Sequence, residues 1–145
     1  MSSSISLHFD VSGDDFTRAG EASTQVKKTL KKIGYDSDAI RRVAIAMYEG
    51  EINMVIHAGG GTADVEIYPD RVDIVLTDEG PGIEDVEKAM TAGFSTAPDN
   101  VRSLGFGAGM GLPNIEKYTD SMRIETEIGV GTKMFLSVNA GGSNS

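Results

Sequence analysis

The sequence predicts an α/β (α+β) fold: a two-layer sandwich in which helices cover one face of a mixed, mostly antiparallel sheet. Three observations carry that expectation. Apolar residues alternate with period two in five short segments and recur at three and four between them, in the order β-α-α-β-β-α-loop-α-β-β. The strands fall in hairpin-like pairs and the helices in blocks, which is not the pattern of a doubly wound parallel sheet. The 145 residues have room for about one domain, and no internal repeat or boundary divides them. Residues 1–139 read as one domain and 140–145, small and polar, as a disordered tail.

Each element follows from local pattern. Ile5, Leu7, Phe9 and Val11 alternate with polar neighbours and predict the first strand, ended by Gly13. Asp14 or Asp15 is placed to cap a helix from Phe16 to Ile33, with Ala19, Ala22, Val26, Leu30 and Ile33 on one face. Lys27, Lys28, Lys31 and Lys32 suit its C-terminal dipole, and Gly34 is its stop. Asp36 or Ser37 opens a second helix that runs to about Ala58; it is apolar on most sides and so expected to be buried. Gly59-Gly60-Gly61 breaks it. Ala63, Val65 and Ile67, a Pro69-Asp70 turn, and Val72, Ile74 and Leu76 predict a hairpin. Ile83, Val86, Ala89 and Met90 suggest a short helix. Thr91 to Gly111 lacks periodicity, and an irregular stretch of that length marks a lid or binding loop. A helix over Gly111–Tyr118 and strands at Met122–Thr126 and Met134–Val138 complete the chain.

Composition limits the functions. Acids outnumber bases 22 to 13, a formal net charge of -9, which argues against nucleic acid as the main partner. The absence of cysteine excludes disulfides, thiolate metal sites and thiol nucleophiles. Neither a signal peptide nor an apolar run of membrane-spanning length is visible, so the chain reads as cytoplasmic and not membrane-bound. Glycine is in excess at 18 residues, most of them between Gly59 and Gly111. Such an excess means linker, disorder or backbone held close to a ligand.

Four constellations could carry chemistry. Glu49, Asn53 and His57 recur every four residues and stack on one face of the second helix. A solvated edge is the simple reading; a carboxylate for proton handling beside an amide oxygen for a hard cation is the functional one. His57 fits a local hydrogen bond better than a metal. Asp78-Glu79-Gly80-Pro81-Gly82-Ile83 is an ordinary turn by composition, although Asp78 at a strand end suits an exocyclic amine. Leu104 to Leu112, with Gly105, Gly107, Gly109 and Gly111, runs straight into a helix, where free backbone N–H groups bind phosphate. It is neither a Walker loop nor a dinucleotide fingerprint. Gly129-Val130-Gly131-Thr132 is a hairpin turn that also presents a hydroxyl.

Taken in order, Glu49-x-x-x-Asn53, Asp78-x-Gly80-x-Gly82-Ile83, Gly107-x-Gly109-x-Gly111-Leu112 and Gly131-Thr132 resemble the four nucleotide-binding boxes of the ATPases shared by gyrase, Hsp90, histidine kinases and MutL. The likeness spans about residues 5 to 138. Within that superfamily the chain is similar to the small anti-sigma-factor and stressosome-type serine/threonine kinases, including Gly93-Phe94-Ser95-Thr96 and Gly111-Leu112-Pro113. The resemblance implies a Bergerat-type ATP-binding fold with a short lid. It implies Glu49 as general base, Asn53 as the Mg2+ ligand, and Asp78 on the adenine amino group. Gly80, Gly82 and Ile83 would shape the adenine pocket, and Thr132 would lie near it. Gly107, Gly109, Gly111 and Leu112 would supply phosphate-binding amides. ATP and Mg2+ are the implied cofactors. The implied partners are a small STAS-like antagonist protein with a phosphorylatable Ser or Thr and a sigma factor or phosphatase, with the kinase a monomer or homodimer. An ATP-gated binding module without kinase activity is the alternative. Gly50 and Glu51 depart from expectation: the glycine costs helix stability, about 1 kcal/mol, and the second acid has no assigned place. Arg102 has no matching motif.

Overall fold

The computed structural model describes residues 4–12, 20–80 and 111–140. In chain order the elements are β1 (Ile5–Ser12), α1 (Glu21–Lys32), α2 (Ser37–Ala58), β2 (Gly60–Ile67), β3 (Arg71–Asp78), α3 (Gly111–Tyr118), β4 (Ser121–Glu127) and β5 (Gly131–Asn139). The expected helix over 83–90, the irregular stretch after it and the tail residues 141–145 lie outside the described residues.

The sheet has the order β1-β2-β3-β5-β4, and every described pairing is antiparallel. The antiparallel bias read from the hairpins is therefore complete among these strands. Register aligns Ala63 with Leu76 and Leu76 with Met134, Val65 with Ile74 and Ile74 with Leu136, and Ile67 with Val72 and Val72 with Val138. All nine are buried, so one face of the central sheet is continuous hydrocarbon. The opposite face carries Asp64, Asp73, Val75, Thr77, Lys133 and Phe135, which are partly or fully exposed.

Helix α2 lies on the hydrocarbon face. Val43, Ala46, Met47 and Met54 are all nearly inaccessible to solvent, as its all-round apolar sequence requires. Gly50 lets α2 approach the sheet: a Cβ there would lie 2.2 Å from Leu76 Cδ1. Asp36 caps α2 by accepting a 2.9 Å hydrogen bond from the Ala39 amide, and Gly59, at φ 73°, closes it. Helix α1 ends as expected at Gly34, whose amide and that of Tyr35 donate back to Lys31 and Leu30.

Two boundaries differ from the sequence expectation. The described helix α1 begins at Glu21, not Phe16, because Gly20 sits at φ 99° outside the helix; Asp14, Asp15 and Phe16 lie outside the described residues. Gly60 and Gly61 do not simply break α2. They open β2, paired with Ser12 and Val11. Gly61 is required there, since a Cβ would meet Thr77 O at 2.2 Å and Met54 Sδ at 2.8 Å.

The far end of the sandwich is held by Arg42 of α2. It donates to Asp38, Asp120 and the Asn139 carbonyl, while Asp120 also accepts from the Asn139 amide at 2.6 Å. Ala140 is still anchored, its amide donating to Asp70 O.

Candidate functional site

The site is built on α2, the end of β3, the start of β5 and the first turn of α3. Glu49 and Asn53 lie one turn apart on α2, both half-buried. Asn53 has no hydrogen bond to another described residue. Glu49 Oε2 accepts a 3.2 Å hydrogen bond from Asn114 Nδ2 of α3. This contact was not legible beforehand, because nothing in the spacing of Asn114 sets it apart from an ordinary polar helix residue.

Asp78 is the last residue of β3, and its orientation is fixed. Its Oδ1 accepts from the Gly80 amide at 3.0 Å and from the Thr132 amide at 3.2 Å. Oδ2 has no hydrogen bond to a described residue. The Gly80 bond closes an Asx turn, which explains why the Asp-x-Gly spacing occurs where the strand stops. Gly131 faces Asp78 across the β3–β5 pairing at φ 146°, and a Cβ on it would stand 2.1 Å from Asp78 O and 2.9 Å from Glu79 Cα. Only glycine fits that backbone conformation and that gap.

Thr132 is buried, paired with Asp78 on one side and with Thr126 on the other. Its hydroxyl shares a 2.9 Å hydrogen bond with that of Thr126, so its contact with the acid is through its backbone amide. Gly111 is the first residue of α3, and Leu112 is buried beside Ile115 in the core. The expected amide donors at the N-terminus of this helix thus rest on a packed base. Gly82, Ile83, Gly107, Gly109 and Arg102 lie outside the described residues.

Glu51 is a buried carboxylate beside the site, 1% exposed. Oε2 accepts from the amides of Gly20 and Ala22 at 2.9 and 3.2 Å, and Oε1 accepts from Ser23 at 2.7 Å. These are the orphan donors at the start of α1, which Gly20 has no side chain to satisfy. The second acid of Glu49-Gly50-Glu51 is therefore a cap supplied from another helix. Burial pushes its carboxyl above the ordinary glutamate range, against the opposing pull of the three amides.

The arrangement fits a purine nucleotide with a hard cation. Asp78 has one carboxylate oxygen without a hydrogen bond to a described residue, beside backbone that two glycines hold bare of Cβ atoms. Asn53, whose amide makes no hydrogen bond to a described residue, lies one turn from a carboxylate. Among the described residues no group of three or more His, Cys, Asp or Glu could hold a metal. A cation at Asn53 would need phosphate oxygens and water to complete its shell, which is the habit of magnesium.

The chain belongs to the histidine kinase-like ATPase domain family, whose model matches residues 14–137. It is 30% identical over 112 residues to the serine/threonine-protein kinase RsbT of Bacillus subtilis, covering 74% of this chain and 78% of that one. It is 36% identical over 130 residues to the anti-sigma F factor of Clostridium acetobutylicum, covering 85% and 82%. Among solved structures it resembles the RsbU and RsbW domains of Rv1364c from Mycobacterium tuberculosis, with a TM-score of 0.64 at 18% identity. That match covers 94% of this chain and 32% of the other, so the chain spans about a third of that structure. The mycobacterial sensor histidine kinase MprB matches with a TM-score of 0.53 over 94% of this chain and 98% of that one, at 18% identity. The fold expected from the four boxes is the fold of these structures. No helix among the described residues is long and apolar enough to cross a membrane.

Proposed function

We propose that the protein is an ATP-dependent serine/threonine kinase of a partner-switching pathway. Its substrate would be a Ser or Thr on a small STAS-like antagonist protein, and it would act on a sigma factor or a phosphatase. The observations that support this best are Glu49 and Asn53, one turn apart on α2, and the fixed carboxylate of Asp78 at the end of β3. The relatives named as a serine/threonine kinase and as anti-sigma factors support the same reading.

Each residue has a task that its surroundings suit. Asp78 accepts the adenine amino group through Oδ2, while the Gly80 and Thr132 amides hold Oδ1 still. The amides opening α3 at Gly111 face the phosphates, with Gly107 and Gly109 preceding them in the chain. Asn53 would hold Mg2+ by its carboxamide oxygen. When bound with ATP, Mg2+ neutralises charge on the transferring phosphoryl group. Glu49 takes the proton of the attacking hydroxyl, through the oxygen that Asn114 leaves free. The product is phosphoserine or phosphothreonine, which survives acid, where phosphohistidine does not.

An ATP-dependent pull-down followed by incubation of the captured protein with labelled MgATP tests the reading. Acid-stable label on the captured protein is expected. Capture that depends on ATP but yields no phosphorylated product would instead indicate an ATP-gated binding module.

A further inference from the structure

We infer that Asn114 is a positioning residue that sets the orientation of the Glu49 carboxylate from the first turn of α3. This rests on the reading of Glu49 as the base. The geometry is specific. Asn114 Nδ2 donates to Glu49 Oε2 at 3.2 Å across the α2–α3 interface, in a half-buried setting. A glutamate side chain has three rotatable bonds, and an unheld carboxylate one turn from Asn53 would sample many orientations. One directed N–H bond to Oε2 restricts the rotation of the group and leaves Oε1 for the incoming hydroxyl.

The donor is itself held. Asn114 stands between Leu112 and Ile115, which are 6% and 0% exposed, and both belong to the core beneath α2. Rotation of α3 would expose that hydrocarbon, so the amide reaches α2 from a rigid platform. Gly111, three residues earlier, opens the same helix. Gly111 and Leu112, two of the residues expected to meet the phosphates, therefore share one short element with the residue that aims the base. Phosphate seating and base orientation are registered to each other through α3 rather than set separately.

The test uses the full chain and MgATP with water as acceptor, following release of γ-phosphate in single turnovers. Asn114→Leu keeps the branched shape and removes the donor; Asn114→Ala is the second variant should the first not fold. We expect turnover to fall about tenfold while ATP affinity stays within about twofold, since the bond orients a reacting group and does not touch the nucleotide. In a Glu49→Gln background the Asn114 substitution should add no further loss, because the two residues act as one unit. Full turnover in both Asn114 variants, with Glu49→Gln inactive, would overturn the inference and leave the base intact. Losses that multiply in the double variant would overturn it as well, by showing that Asn114 acts independently of Glu49. Normal turnover in Glu49→Gln would remove the base itself, and the role of Asn114 with it.

Discussion

Glu51 shows how an acid beside the proposed base serves the fold, by capping the start of α1. Glu49, Gly50 and Glu51 are contiguous, yet Glu49 faces α3, Gly50 faces the sheet and Glu51 faces the start of α1. The helical twist of about 100° per residue separates them. Removing the Glu51 carboxylate leaves three buried amides without a partner, so Glu51→Leu should cost about 2–3 kcal/mol, read as a lower urea midpoint. The pH dependence has a definite sign. The folded carboxyl lies above its unfolded value because of burial, so the folded state binds the proton more tightly. Its contribution is greatest below the ordinary glutamate value and declines as pH rises through the raised one. The stability gap between wild type and Glu51→Gln should accordingly narrow as pH rises from the ordinary glutamate value through the raised one. A gap that widens over that range would contradict the burial account.

At the scale of the element, α2 carries the architecture and the site together. Its Gly50, costly by propensity, allows the close approach of α2 to Leu76 of β3, the strand that ends at Asp78. Gly50→Ala gains about 1 kcal/mol of helix propensity, but its Cβ must displace Leu76, which is 1% exposed and enclosed by the core. Overpacking of that kind costs about 1–3 kcal/mol, so the substitution should destabilise, against the usual effect of Gly→Ala in a helix. Thermal unfolding checks this, and a raised melting temperature would contradict it. The opposite end of α2 is tied down by Arg42 and Asp120. Burial would raise the Asp120 carboxyl, but the Asn139 amide and Arg42 outweigh it and hold it below the usual range. That stabilisation is present above the ordinary aspartate value and lost as pH falls through the depressed one. Asp120→Asn should therefore cost about 0.5–1 kcal/mol near neutrality and nothing once Asp120 is protonated, as urea unfolding at the two pH values would report.

Over the whole molecule, most of the architecture was legible because period and burial coincide. The alternation in β2, β3 and β5 is the alternation of buried and half-exposed residues in the sheet. Asp36 and Gly34 punctuate the helices as side-chain chemistry demands. What was not legible depends on contacts between distant segments. Gly61 and Gly131 read as turn residues, and only the meeting of β2 and β5 with β3 shows why a Cβ is forbidden there. Glu51 had no place because its partners lie some thirty residues earlier in the chain. Asn114 was missed for the same reason, its partner lying 65 residues away. The positions of Glu49, Asn53 and Asp78 were legible, one turn apart on a helix face and at a strand end, because those elements convert spacing directly into position.

The central claim is that Glu49 is the base of a phosphoryl transfer and not a structural acid. Its most direct measurement is single-turnover transfer of label from MgATP to the partner captured in ATP, comparing wild type with Glu49→Gln at matched ATP occupancy. Glu49→Gln should bind ATP with unchanged affinity and lose transfer by about 100-fold or more, as expected of a general base. Transfer by Glu49→Gln at the wild-type rate, with ATP bound, would contradict the account.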